Sequence, residues 1–228
     1  MGLNRFAVYY TPRPGALADF GAAWLGWDVA SGRSVAHPRL ANLPLPVAEI
    51  TAAPHKYGFH GTIKPPFRVA EAQTLTTLQE ALETLCKDLR PVQAEGLNLS
   101  QLGRFLALTV RNPPKALLTL ASRAVTELDP FRAPASANDV ARRRRANLSP
   151  RQDALLMAWG YPYVLDEFRF HLTLTGQLTK DQIIAVQSTL EPILNGMPLT
   201  PFCLDALSLV GEDDDGRFHE ISRFALSG

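Results

Sequence analysis

Thiols are scarce in this chain. Cys86 and Cys203 are the only two in 228 residues, each in an apolar stretch and neither in a CxxC pair. No disulfide framework follows, and both read as buried thiols of a reducing compartment. Charge of one sign is also lacking: the formal net charge is +1, which argues against a global polyanion binder and leaves only local basic patches. No apolar run approaches the roughly 18 residues that a bilayer span needs. The opening MGLNRFAVYY has no basic-then-apolar signal pattern, and Phe6 stands where a myristoylation site requires Ser or Thr. A cytoplasmic protein without membrane association is expected. Histidines number only five, with no HExxH and no closely spaced His/Asp set. A metal hydrolase would have to gather a third ligand from far along the chain, so neither metal nor cofactor is expected.

What is present is a composition for a packed core, with 46% apolar and 20% charged residues. Strands are expected at 5–10, 59–69, 92–100, 104–110, 168–176, 203–210 and 217–226, from β-branched and aromatic alternation between turn residues. Helices are expected at 16–27, 71–90, from Asn112-Pro113 to Leu128, from Ser149-Pro150 to Gly160, and after Thr179. Leu75, Leu78, Leu82, Leu85 and Leu89 step by three and four along one face of the clearest of these. Ser149-Pro150-Arg151-Gln152 and Thr179-Lys180-Asp181-Gln182 have the form of capping boxes. Residues 31–54, rich in Pro and small side chains, read as a long loop.

One order of elements occurs twice: a strand bearing His-x-Thr, a helix, a strand, a turn, a strand. Phe59-His60-Gly61-Thr62-Ile63 opens the first set and Phe170-His171-Leu172-Thr173-Leu174 the second. The turn Gly103-Arg104-Phe105 follows His60 at nearly the separation at which Gly216-Arg217-Phe218 follows His171. A duplicated module is inferred.

Side chains alternate on a strand, so His60, Thr62 and Lys64 should face one way, and so should Arg169, His171, Thr173 and Thr175. Side by side about a pseudo-twofold axis, the two strands would bring two imidazoles and two hydroxyls to one cleft. That set suits a phosphodiester. One proton must leave the attacking oxygen and another must reach the leaving oxygen, and imidazole does either near neutral pH. Threonine hydroxyls supply short-range donors to the non-bridging oxygens.

The paired segments resemble the signature of the 2H phosphoesterase superfamily, which includes RNA 2′,3′-cyclic phosphodiesterases and 2′-5′ RNA ligase-like proteins. FAVYYTP, YGFHGTIKPPF, LDPFRAP and NLSPRQDALLMAWGYPYVLDEFRFHLTLTG more closely resemble a bacterial family often encoded beside phosphonate-utilisation genes, and this likeness runs over nearly the whole chain. The resemblance implies an α+β, bilobal, LigT-like fold: two duplicated antiparallel-sheet modules with outer helices around a central cleft. Residues 1–228 would form a single bilobal domain, with repeat modules at about 57–110 and 168–226. His60 and His171 would be the catalytic acid–base pair, and Thr62 and Thr173 the phosphate ligands. The likeness to RNA-processing members is confined to the two motifs, so their substrate does not carry over.

Lys64 and Arg169 are further candidates for substrate binding, as are Tyr57 and Tyr163, whose other reading is packing. Arg142, Arg143, Arg144 and Arg145 form a charge run that reads first as a solvated face and second as a contact for an RNA backbone. His37 and His55 carry no motif, His219 reads as structural, and Asp213 to Asp215 read as a hairpin tip. The expected activity is metal-independent hydrolysis of a small phosphodiester, cyclic or linear, linked to phosphonate metabolism. RNA end-processing and non-catalytic phosphate-ligand binding are the alternatives. The near-neutral charge favours a small-molecule substrate over RNA.

Overall fold

The computed structural model describes residues 2–228. Strand β1 (Arg5–Tyr10) leads into helix α1 (Ala16–Leu25), the short ladder of β2 (Trp27–Asp28) with β3 (Arg33–Ser34), and one helical turn, α2 (Val47–Ile50). Next come β4 (Gly61–Phe67), α3 (Leu75–Asp88), β5 (Val92–Ala94), β6 (Leu97–Leu102) and β7 (Phe105–Val110). Helices α4 (Lys115–Glu127), α5 (Ala137–Arg144) and α6 (Pro150–Trp159) follow. Then β8 (His171–Thr173), α7 (Lys180–Asn195), β9 (Phe202–Leu204), β10 (Ala206–Glu212) and β11 (Phe218–Ala225) complete the described chain. The run β4–α3–β5–β6–β7 thus recurs in order as β8–α7–β9–β10–β11.

Seven strands form one antiparallel sheet in the order β11-β10-β1-β4-β8-β7-β6, so the architecture is α+β. The two motif strands, β4 and β8, sit side by side at its centre. The hairpin β6–β7 flanks β8, while β1 separates β4 from the hairpin β10–β11. Beyond this sheet β5 pairs with β9, joining the corresponding short strands of the two runs.

Period-two alternation gives the sheet an apolar face and a polar one. Phe6, Val8 and Tyr10 of β1, Leu106 and Leu108 of β7, and Leu207 and Leu209 of β10 share one core with four helices. Those helices contribute Trp24 and Leu25, Leu78, Leu82 and Leu85, Leu117 and Leu120, and Ile183, Val186 and Leu190. Truncating a fully buried leucine such as Leu82 to Ala would cost ~2–5 kcal/mol. The boxes read at Ser149 and Thr179 both form, and Thr74 caps α3 in the same way. The opposite face, carrying Arg5, Ala7 and Tyr9 on β1, is left for the cleft. Among the described residues no helix is long and apolar enough to cross a membrane.

Several boundaries differ from the sequence reading. Helix α1 ends at Leu25 because Gly26 takes φ 75, and Trp27 turns into β2 with its indole donating to Phe218 O at 2.8 Å. The segment 92–100 is not one strand. It breaks between β5 and β6, which pair with β9 and β7 respectively. The helix expected from Asn112 starts at Lys115, since Asn112 adopts φ 44 and donates to Glu95. The strand expected over 168–176 is regular only in β8, because Leu165–Glu167 forms a 3-10 turn just before it. The supposed loop 31–54 contains β3 and α2. Cys86 is buried as expected, but Cys203 is only half-buried, with Gln93 donating to its sulfur at 3.0 Å. Asp213 is more than a hairpin tip: its buried carboxylate accepts from Arg217 N at 2.8 Å and meets His219 Nε2 at 2.6 Å.

Candidate active site

Strands β4 and β8 pair through a single position, Gly61 opposite Leu172. Each of these residues immediately follows its histidine. An antiparallel register centred there sets His60 across from Thr173 and Thr62 across from His171, all on one face. Gly61 is required at this crossing, because a Cβ would lie 2.5 Å from the ring of Phe170.

Both imidazoles are held by the same local device. His60 Nδ1 donates to Gly58 O at 2.9 Å, and His171 Nδ1 donates to Arg169 O at 2.8 Å, in each case the carbonyl two residues earlier. The bond fixes the ring and leaves Nε2 for chemistry. Gly58 reaches the needed geometry at φ 68, where a side chain would also strike Val29. His60 stacks on Tyr9 with ring centres 3.7 Å apart, and its Nε2 lies 3.0 Å from Thr62 Oγ1. With Nδ1 protonated, that Nε2 accepts from the threonine hydroxyl. Phe105 flanks His171 with ring centres 5.8 Å apart.

Burial pushes the His60 pKa down to about 4, helped by the nearby positive charge that His171 can carry and partly opposed by the Gly58 carbonyl. His60 is therefore a neutral base at pH 7. Burial likewise raises the Tyr9 phenol well above its ordinary value, so the ring stacked on His60 is uncharged.

The face opens into a cleft of ≈ 790 Å³ lined by His60, Thr62, His171 and Thr173. Tyr57, Tyr163 and Arg169 line it as well. Arg169 is exposed and makes no ion pair among the described residues. A side pocket of ≈ 240 Å³ shares Tyr57, His60, Phe105 and Thr173 with the cleft and extends to Ala53 and Gly176.

Lys64 is not part of this group, contrary to the alternation argument. Between Val8 and Tyr9 the β1–β4 register shifts, leaving Ile63 as an extra residue. Such a bulge reverses the facing of the residues that follow it, here until a second shift between Phe6 and Val8 returns Phe67 to the core. Lys64 is consequently buried at 1% exposure, donates to Val125 O at 2.8 Å and lies 3.5 Å from Asp129. Burial lowers its pKa to about 8, with Asp129 acting in the other direction.

The four-arginine run is divided. Arg144 donates to Asp153 at 2.7 Å and Arg145 is exposed, as a solvated face would have it. Arg143 instead lines the cleft, its guanidinium over the ring of Tyr161 at 4.5 Å. His37 and His55 set their Nδ1 atoms on the carbonyls of Trp24 and Leu25 at 3.1 and 2.6 Å, closing the end of α1. Residues that motif reading passed over include Tyr9, Arg5 and Phe105. The alternation of Arg5, Ala7 and Tyr9 on one face of β1 was the available signal for two of them. Among the described residues no group of three or more His, Cys, Asp or Glu side chains is placed to hold a metal ion.

Residues 62–219 match the family model described as "Protein of unknown function (DUF1045)". The chain belongs to the DUF1045 family. Two curated relatives share its sequence over almost its full length. The Ribose 1,5-bisphosphate phosphokinase PhnN of Janthinobacterium sp. (strain Marseille) is 35% identical over 99% of this chain and 51% of its own length. The protein of the same name from Laribacter hongkongensis (strain HLHK9) is 32% identical over 96% of this chain and 51% of its own. This DUF1045 chain thus spans about half the length of the curated relatives it matches. Among solved structures it is similar to E. coli LigT complexed with 3'-AMP, at 14% identity and TM-score 0.45 over 100% of both chains. At that level the likeness carries no argument about activity, and the functional reading rests on the chain's own residues.

Proposed function

We propose that this protein hydrolyses a small phosphodiester by acid–base catalysis between His60 and His171. The observation that carries the reading is the matched pair of imidazoles on adjoining central strands. Each is fixed through Nδ1 by the carbonyl two residues back, and each lies across from the other strand's threonine. His60, neutral at pH 7, takes a proton from the attacking water at Nε2. The water oxygen forms the new bond to phosphorus, the bond to the leaving oxygen breaks, and that oxygen receives a proton from His171 Nε2. Thr62 and Thr173 donate to the non-bridging oxygens. Thr62 first releases the Nε2 of His60, so phosphate binding would itself free the base. The products are a phosphomonoester and an alcohol, joined in one molecule if the substrate is cyclic.

The names of the longer relatives suggest a substrate class. A half that opens a cyclic phosphodiester of a phosphorylated sugar would produce a phosphosugar of the kind that the name ribose 1,5-bisphosphate phosphokinase describes. The kinase step itself is not proposed for this chain, which contains no Gly-Lys pair and therefore no phosphate-binding GxxxxGK loop. A link to phosphonate metabolism and a cytoplasmic setting belong to the same proposal. The test is a panel of cyclic and linear phosphodiesters, sugar phosphates and short RNAs with 2′,3′-cyclic ends. Turnover of a small cyclic diester, abolished in His60→Ala and His171→Ala, supports the reading. Preference for the RNA ends would replace the small-molecule substrate with RNA, and binding without turnover would replace the enzyme with a binder.

A further inference from the structure

A second cavity adjoins the histidine cleft, and Arg5, Pro66 and Arg143 line both. Its free volume is ≈ 50 Å³. At ~10–15 Å³ per water, that is room for roughly four waters, about the bulk of a tetrahedral oxyanion. Five arginines line it, Arg5, Arg68, Arg132, Arg142 and Arg143, with one carboxylate, Asp139.

The charges in this wall do not balance. Arg5 pairs with Glu212, Arg68 and Arg142 share Asp139, and Arg132 pairs with Asp129, which also faces the buried Lys64. Arg143 has no carboxylate partner among the described residues and rests on Tyr161. Six cations thus answer to three carboxylates. Cations at the C-terminal end of α5 are favoured by the helix dipole, which accounts for Arg142 and Arg143. It does not account for Arg5 on β1, Arg68 beyond β4, or Arg132 after the 3-10 turn at Asp129–Phe131. Positive groups gathered from four separate segments around an oxyanion-sized space are costly unless an anion enters. Guanidinium groups are also the side chains whose paired N–H donors best match two oxygens of a phosphate.

We infer that this pocket binds a second phosphate of the substrate, a phosphomonoester carried on the end of the molecule that does not react. The inference rests on the phosphodiesterase reading and narrows it. Arg5 and Tyr9 share a face of β1 four residues apart, about 13 Å along the strand, and Tyr9 lies under His60. Arg5 and Arg143 line both the pocket and the histidine cleft, so the two phosphates would sit within about 13 Å of each other. A sugar or similar polyol is a spacer of that size. The enzyme would therefore act after a reaction that leaves a cyclic diester on an already phosphorylated sugar, and its product would carry two phosphomonoesters.

Two measurements test this. The first needs no turnover. Inorganic phosphate is titrated calorimetrically into the His60→Ala/His171→Ala variant and into that variant with Arg142→Ala and Arg143→Ala added. Binding that survives loss of the histidines and weakens at least ~10-fold on loss of the arginines supports the pocket. Binding that is indifferent to the arginines, with native melting curves throughout, overturns it, whatever the fate of the catalytic reading. The second compares adenosine 2′,3′-cyclic phosphate with its 5′-phosphorylated form. The expected result is a kcat/KM higher for the phosphorylated probe by ~10-fold or more. Arg143→Ala should erase that preference through KM, and Arg143→Lys should restore part of it. Equal use of both probes by the unaltered enzyme would count against the inference.

Discussion

Gly61 pairs with Leu172 at the centre of the sheet, and each is the residue that follows its histidine. A pairing between corresponding positions of two similar strands is a local twofold axis. It explains how two motifs more than a hundred residues apart in the chain come to one cleft. It also explains why the two positions differ in size. Phe170 packs over Gly61, and a second side chain at that crossing would meet its ring.

Gly61→Ala should therefore disturb both structure and activity. A Cβ placed 2.5 Å from the Phe170 ring must push β4 and β8 apart or turn the phenyl. Overpacking of this kind costs ~1–3 kcal/mol, to be read from the denaturant midpoint at unchanged m. Turnover should fall alongside, because the spacing between the histidines is set at this crossing. A variant of unaltered stability and activity would show that the crossing is slack.

Lys64→Met should leave kcat/KM close to the unaltered value, because the bulge at Ile63 directs Lys64 away from the cleft. Its effect should appear in stability. Burial lowers the Lys64 pKa to about 8 from 10.5, so between those values the unfolded chain holds more protons than the folded one. The burden of the buried charge is full below pH ~8 and is relieved as pH rises toward 10.5. Comparing urea midpoints of the two proteins at pH 7 and pH 10 checks this. The difference between them should change with pH by the Lys64 contribution alone.

How much of this was readable beforehand follows from what kind of signal each residue leaves. His60, Thr62, His171 and Thr173 could be named because two matching motifs reinforce one another, and the capping boxes at Ser149 and Thr179 because caps are local. Lys64 was misplaced because alternation holds only while no residue is inserted, and the bulge is fixed by the β1 register, which sequence does not state. Tyr9 and Arg5 belong to a strand without a motif, so only its partner strands reveal that they face the cleft. The arginine run reads alike whether solvated or not. Arg143 differs from Arg144 through Tyr161 and Asp153, which are distant partners of different kinds.

Thr62→Val and Thr173→Val should each lower turnover by ~10²-fold, the usual loss for one donor to developing charge. Their pH behaviour should differ, because only Thr62 also holds His60 Nε2, at 3.0 Å. Unchanged kinetics in both would remove the hydroxyls from the mechanism.

Activity should survive exhaustive EDTA treatment, since imidazole and hydroxyl groups furnish every proton transfer proposed. Loss on chelation, restored by a divalent ion, would require a metal route instead.

The division of labour between the histidines is the most exposed part of the mechanism. Two groups of one type can act as base and acid together only if one is neutral while the other is protonated. Burial under Tyr9 and the charge available to His171 hold the His60 pKa at about 4, which makes His60 the base. The sign follows directly. As pH falls through about 4, His60 takes up a proton and kcat/KM drops. The acid limb should therefore lie well below the ordinary histidine range. His60→Ala should remove the acid limb, and His60→Ala and His171→Ala should each cost ~10²–10⁴-fold. Because the pair acts as a unit, the double variant should be little slower than either single one. Replacing Tyr9 by Leu would open the stack on His60 and should move the acid limb upward. An acid limb that disappears with His171 rather than His60 would reverse the assignment, and a profile without limbs would end it.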